Sequence, residues 1–196
     1  MAKEIEVKLL NVNIDDIRNR LKQSGATLIK PIRLMRRVMI KTPEMAKCNA
    51  FLRVRDEGGK TTMTYKQFNS SSVDGCEEIE TTVKDFDNAV EILKLSGLAC
   101  ESYQESKREE WKLNGAEIVI DEWPWLNPYI EIEGISEEQL KELSNTLGFD
   151  WQNAVFGSVT IAYNSQYPHL VKTGAQISDI SEVIFGAEIP NILRKP

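Results

Sequence analysis

The chain has 196 residues, 41% hydrophobic and 28% charged, the make-up of a globular protein large enough for one domain with its own core. A net charge of −6 argues against a general nucleic-acid binder, and no apolar run reaches the roughly 18 residues of a membrane span. Cys48, Cys76 and Cys100 are too few and too scattered for a disulfide framework or zinc site, and His169 is the one histidine, so any metal would sit on oxygen ligands and a reducing cytoplasm is expected.

The charged start, Met1-Ala2-Lys3-Glu4, enters a strand pattern at once and reads as no signal peptide. That first strand is predicted over 3–10, with Glu4, Glu6 and Lys8 on one face and Ile5, Val7 and Leu9 on the other. A helix follows over 14–24, with Asn13 as N-cap, Ile14, Ile17 and Leu21 as its apolar stripe and Gly25 as its stop. Strands are predicted at 33–41, 50–56 and 61–68. They carry Arg36 opposite Arg37, then Arg53 and Arg55 against Leu52 and Val54, then Lys66 with Thr64 and Thr62. Glu57-Gly58-Gly59-Lys60 reads as a hairpin turn. The strand at 76–83 sets Glu78 and Glu80 around Ile79. A second helix, 88–96, starts at Asp87, buries Val90 and Leu93 and stops at Gly97. Strands at 102–112, 116–122 and 128–134 bring Arg108, Asp121 and the pair Glu131 and Glu133, with a tight turn at Leu113-Asn114-Gly115. A third helix, 137–147, opens on a capping box from Ser136 to Gln139 and carries Leu140, Leu143 and Leu147 on one face. Residues 151–196 are less periodic, with a short helix expected over 178–185. Residues 1–164 read as the main domain and 165–196 as its extension, a lid or a partly mobile tail.

The tripeptide Glu-Ile-Glu recurs at 4–6, 78–80 and 131–133, each time as two carboxylates on one strand face. The ordinary reading of one such strand is a solvated face above a helix-covered core. Here whole strands are sorted by sign: the first, fifth and eighth are acidic, and the second to fourth and the sixth are basic. Sorting of this kind suits an inward-facing lining, where carboxylates gather a hard cation and guanidinium and ammonium groups hold phosphate oxygens.

Glu4-x-Glu6-x-Lys8 resembles the ExExK signature of the CYTH superfamily, the triphosphate tunnel metalloenzymes. Arg36 with Thr42-Pro43, Leu52-Arg53-Val54-Arg55, Lys66, the Glu78/Glu80 pair, Arg108, Asp121 and Glu131/Glu133 follow in that family's order, over about residues 3–150. The resemblance implies an α+β fold, an eight-stranded antiparallel β-barrel enclosing a triphosphate tunnel, with the amphipathic helices packed outside. It implies Mg²⁺ or Mn²⁺ as cofactor, held by Glu4, Glu6, Asp121, Glu131 and Glu133. Lys8, Arg36, Arg53, Arg55, Lys66 and Arg108 are the implied triphosphate ligands, and Lys8, Glu78 and Glu80 the implied catalytic groups. The implied partner is a small-molecule triphosphate (inorganic tripolyphosphate, thiamine triphosphate or a nucleoside triphosphate), with no DNA and no membrane, and a homodimer is compatible. Hydrolysis is the favoured reaction, since no residue set demands a nucleoside. The alternatives are a class IV adenylyl cyclase making cyclic AMP and pyrophosphate from ATP, or a non-catalytic polyphosphate or nucleotide binder.

Three features depart from the family pattern. Ser106 stands where a lysine is common, and Lys107 beside it would face the other way. Arg37-Val38-Met39-Ile40-Lys41 replaces the usual aromatic and acidic pattern. The loop Trp123-Pro124-Trp125-Leu126-Asn127-Pro128 could stack an organic ring, although paired loop tryptophans more often pack on their own domain. Tyr163 is expected to pack, and His169 to lie in an exposed loop.

Overall fold

A computed structural model describes residues 2–70, 72–73 and 75–194. The chain runs β1 (Ala2–Glu4), β2 (Glu6–Leu9), α1 (Ile14–Gln23), β3 (Thr27–Ile40), α2 (Pro43–Lys47), β4 (Ala50–Asp56), β5 (Thr61–Phe68), β6 (Cys76–Val83) and α3 (Phe86–Leu95). It continues through β7 (Cys100–Leu113), β8 (Ala116–Trp123), β9 (Leu126–Glu133), α4 (Glu137–Thr146), α5 (Thr160–Gln166), α6 (His169–Thr173) and β10 (Glu182–Val183).

The strand order is β1-β6-β5-β4-β3-β7-β8-β9-β2. Its two ends are halves of one N-terminal segment, separated by Ile5 alone. β1 pairs antiparallel with β6 and β2 antiparallel with β9, so this segment bridges both free edges and turns the sheet into a ring of eight strands. The tight Asn114-Gly115 turn between β7 and β8 has φ of 49° and 85°, the doubly positive geometry that lets a two-residue loop follow strand twist.

The apolar faces point outward. Val7, Leu9, Ile118, Ile120, Ile130 and Ile132 are buried beneath α1 and α4, which contribute Ile17, Leu21, Leu140 and Leu143 to the same cluster. Each such side chain gives roughly 1.5–3 kcal/mol when fully withdrawn from water. A second cluster places α3, through Phe86 and Val90, over Val38, Ile40 and Val54. A third joins Tyr163, Leu170, Ile177, Val183 and Leu193 of the C-terminal segment to Trp123 and Tyr129. The first two clusters therefore lie outside the ring, the third packs against Trp123 and Tyr129 of its inner face, and the rest of the interior is left for charge. Among the described residues no helix is long and apolar enough to cross a membrane.

Several expectations need correction. β3 starts at Thr27, six residues before the predicted 33. Thr27–Leu34, with Pro31 among them, extend the ladder with β7 through register shifts on either side of Lys30 that absorb the proline. α3 begins at Phe86, because the Asp85 carboxylate accepts a 2.7 Å bond from the Asn88 amide and is the N-cap in place of Asp87. The helix expected over 178–185 is absent. Ile177–Asp179 form a single 3₁₀ turn, and Glu182–Val183 add a short parallel strand beside β7. His169 opens α6, half-buried, with Nε2 2.9 Å from the Ile192 carbonyl.

Candidate functional site

The ring encloses a cavity of about 290 Å³. Glu4, Glu6, Lys8, Arg53, Arg55, Lys66, Glu78, Glu80, Arg108, Asp121, Glu131 and Glu133 all line it. Strand parity puts them there: on β2, β8 and β9 the alternate residues Val7, Leu9, Ile118, Ile120, Ile130 and Ile132 carry the outer apolar face. Directly opposed pairs on neighbouring strands then bring the groups together, as with Lys8 opposite Glu131, Lys66 opposite Glu78 and Arg108 opposite Asp121.

Arg36 is the exception. It lies on the outer surface, 2.9 Å from Asp56 and stacked 4.5 Å from the Phe86 ring of α3. Its neighbour Arg37 lines the cavity instead. The signal was present in the sequence: Arg36 shares parity with Val38 and Ile40, which pack under α3, so the guanidinium that faces inward must be the other one. Sequence reasoning also passed over Tyr129, Glu117 and the C-terminal Ser158–Thr160 and Gln176–Ser178, all of which line the cavity.

One side of the cavity is acidic and internally neutralised. Lys8 Nζ lies 2.6 Å from Glu6 and 3.2 Å from Glu131. Lys66 Nζ lies 2.7 Å from Glu4 and 3.2 Å from Glu78. Arg108 grips both Asp121 oxygens at 2.8 and 2.6 Å and reaches Glu131 at 2.8 Å, while the Tyr129 hydroxyl donates to Asp121 at 3.3 Å. Burial would raise the Glu131 pKa, but Lys8 and Arg108 outweigh it and hold the carboxyl well below its usual range. The Glu133 side chain makes no hydrogen bond or ion pair among the described residues, and the residue is exposed at the cavity's edge. Burial, then the facing Glu4, Glu117 and Glu6, push its carboxyl up to about 7. Glu78 is raised by burial and by Glu4, against the pull of Lys66.

The other side is basic and only partly neutralised. Arg37, Arg53 and Arg55 each carry a buried Nε–H with no partner among the described residues. Arg37 donates 2.7 Å to Ser106 Oγ and sits 4.4 Å from the Trp123 ring, with no carboxylate paired to it among the described residues. Arg53 meets only Thr64 Oγ1 at 3.2 Å and Glu80 at 3.9 Å, and Arg55 pairs with Glu57. Burial and then the mutual repulsion of these guanidiniums with Arg108 lower Arg37 to about 10 and hold Arg53 well below its usual range. Buried donors without acceptors are rare and costly, and three in one cavity call for an acceptor-rich anion.

The donor set suits a hard divalent cation, because its anionic ligands are all carboxylates and the raised Glu78 and Glu133 are crowded by like charge. Among the described residues no three metal-ligating side chains already stand close enough to share an ion. Glu4, Glu6 and Glu131 are drawn to Lys66, Lys8 and Arg108, so gathering an ion would displace those cations.

Lys107 turns outward onto the Phe185 ring at 4.7 Å, and Trp125 donates Nε1–H to the Ala187 carbonyl. The Trp123 face is covered by Arg37 and its edge meets Tyr163. Both indoles are thus engaged within their own domain. Tyr163 is fully buried and donates 2.7 Å to the Pro124 carbonyl.

The sequence model of the CYTH domain matches residues 2–152. No curated protein matches the chain. Among solved structures, a Pyrococcus horikoshii protein is 25% identical, covers 77% of this chain and 93% of its own, and superposes with a TM-score of 0.67. A Vibrio parahaemolyticus protein described as a candidate adenylate cyclase is 17% identical, covering 87% and 98% of the two chains with a TM-score of 0.68. A Hippeastrum protein, described as a candidate adenylyl cyclase with a dominant triphosphatase activity, is 16% identical over 89% and 97%, with a TM-score of 0.59. At those two identities the likeness is one of fold.

Proposed function

Because the chain belongs to the CYTH family, matched from residue 2 to residue 152, we propose that it hydrolyses a triphosphate held in its tunnel, with Mg²⁺ or Mn²⁺ as cofactor. The observation that carries this reading is that three arginines whose buried Nε–H groups lack a partner among the described residues line one cavity together with a carboxylate-rich wall. A polyanion satisfies the first, and a divalent cation the second.

Arg37, Arg53 and Arg55 bind phosphate oxygens through those free donors, and Lys8, Lys66 and Arg108 join them once released from their carboxylates. Arg36, on the outer surface, takes no part. Glu4, Glu6, Asp121, Glu131 and Glu133 supply oxygen ligands for the cation. When bound, the ion neutralises phosphoryl oxygens and makes the terminal phosphorus more open to attack. Glu78 and Glu80 stand beside Lys66 and Arg53 and orient a water in line with the bond to be broken. Water adds to the terminal phosphorus, the bond to the bridging oxygen breaks, and orthophosphate leaves with the shortened phosphate chain. Guanidinium groups stabilise the charge that develops on the transferred phosphoryl oxygens.

The test is direct. Purified protein is incubated with tripolyphosphate, thiamine triphosphate and ATP, each with Mg²⁺ or Mn²⁺. Orthophosphate release that disappears on chelation supports hydrolysis. Cyclic AMP with pyrophosphate from ATP would replace hydrolysis by cyclisation, and tight binding without turnover would leave a binding protein.

A further inference from the structure

Trp123 is the last residue of β8 and lines the cavity on the same inner face as Asp121. It is 3% exposed, packed with Tyr129, Tyr163 and Leu193. The Arg37 guanidinium covers its ring face at 4.4 Å, and the Tyr163 ring meets it at 89°. These contacts fix the orientation of the indole. Its Nε1–H is buried and has no acceptor among the described residues. Trp111 and Trp125 both satisfy theirs, on Glu109 at 2.7 Å and on the Ala187 carbonyl at 3.0 Å. A buried tryptophan normally finds a partner for this donor, and leaving it unpaired costs free energy.

We propose that Trp123 is a further anion-binding residue, its indole N–H donating to an oxygen of the same phosphate that Arg37 holds. The Arg37 Nε–H also lacks an acceptor, so two buried donors on touching side chains line one cavity, and a single acceptor-rich group satisfies both. The choice of an indole has a physical reason. Arg37, Arg53, Arg55 and Arg108 already repel one another, as the lowered Arg37 and Arg53 show. Another cation would add to that repulsion, whereas the indole is a neutral group that only donates. The two contacts also use different parts of the ring. The guanidinium sits over the negative face, and the N–H lies in the ring plane at the positive edge. A cation over the face polarises the indole and strengthens its N–H as a donor. Tyr163 and Leu193 lie beyond residues 2–152, so this chain's own C-terminal segment holds a tunnel donor in place.

The inference rests on the reading of the tunnel as a triphosphate site, and the two can fail separately. The full chain, isotope-labelled for NMR, is titrated with Mg²⁺ and diimidotriphosphate, the nitrogen-bridged tripolyphosphate that resists hydrolysis. Calorimetry gives its Kd, and the indole N–H resonances, assigned by triple-resonance spectra, report each tryptophan. The Trp123 N–H proton should move downfield and exchange more slowly with solvent, as a newly made hydrogen bond requires. The Trp111 N–H, already bonded to Glu109, should stay in place. Trp123→Phe keeps an aromatic ring under Arg37 and should weaken binding roughly 3- to 10-fold, the loss of one neutral hydrogen bond. An unmoved Trp123 N–H in the ligand-bound protein, as when buried water is its acceptor, would overturn the inference and leave the triphosphate site standing. So would a Trp123→Phe Kd within about twofold of the parent value. No binding of the analogue at all would overturn both.

Discussion

Replacing Arg37 by Met tests whether the tunnel is built around an anion. At pH 7 this guanidinium is charged in both the folded and the unfolded chain. Its pKa falls from 12.5 to about 10 on folding, which corresponds to about 3 kcal/mol against the charged folded form. Methionine removes that penalty but also removes the bond to Ser106 and the stacking on Trp123, each worth about 1 kcal/mol. The expected balance is a gain of about 1 kcal/mol, or a Tm about 2–4 °C higher for a domain of this size. Triphosphate binding loses a charge-assisted hydrogen bond of about 1.5–3 kcal/mol, so KM should rise roughly 10- to 150-fold. Arg36→Met is the control. It removes an exposed pair worth at most about 1 kcal/mol and should leave KM within about twofold. Thermal melts and steady-state kinetics on both variants decide the matter. Equal effects of the two substitutions on KM, or a destabilised Arg37→Met with normal KM, would refute the assignment of the inward arginine.

Glu6→Gln keeps the shape but removes one carboxylate from the acidic wall, and metal-dependent turnover should fall by orders of magnitude; a near-normal rate would strip Glu6 of its role. Raised carboxyls predict a pH effect on the metal-free protein. Glu78, Glu117 and Glu133 keep protons in the folded state that the unfolded chain has already lost, so stability should decline as pH rises from about 4.5 through about 7. The lowered Glu4 and Glu131 act in the opposite direction only below about 4.5. Mg²⁺ competes with the Glu133 proton, so its apparent affinity, read by calorimetry, should strengthen over the pH interval around 7. Tyr163→Phe leaves the Pro124 carbonyl without its donor and should lower stability by about 1–2 kcal/mol while KM stays unchanged; a large KM change would show that Tyr163 reaches the substrate.

Alternation carried most of this site. In Glu4-Ile5-Glu6-Val7-Lys8 and Leu52-Arg53-Val54-Arg55 the charged and apolar residues take strict turns, so the inward face could be read directly. Arg36-Arg37 broke the rule by giving a charge to both faces, and the parity of Arg36 with the apolar Val38 and Ile40, which pack under α3, decides between them. The ring closure was also hidden, because the break at Ile5 that lets one strand serve two edges leaves no composition signal. The C-terminal segment was least legible. Its 3₁₀ turn and two-residue strand are shorter than any periodicity can show, and they hold their places through tertiary contacts to Ser102, Glu105 and Tyr103.

The two halves of the lining are linked through three cations. Without ligand, Lys8, Lys66 and Arg108 are occupied by Glu6, Glu4, Glu131 and Asp121, and they cannot serve a phosphate chain without leaving charged carboxylates behind. A divalent ion on those carboxylates removes the attraction and frees the same cations to turn toward the anion. Metal and triphosphate should therefore bind with positive coupling of about 1–3 kcal/mol, a 5- to 150-fold tightening of each by the other. The coupling can be measured with a non-hydrolysable triphosphate, titrated by calorimetry with and without Mg²⁺ and then in reverse order. Lys66→Met should weaken it, because Glu4 and Glu78 would no longer need an ion to release a cation. Independent binding of the two ligands would mean that these ion pairs persist in the loaded tunnel, and the phosphate chain would then be held by Arg37, Arg53 and Arg55 alone.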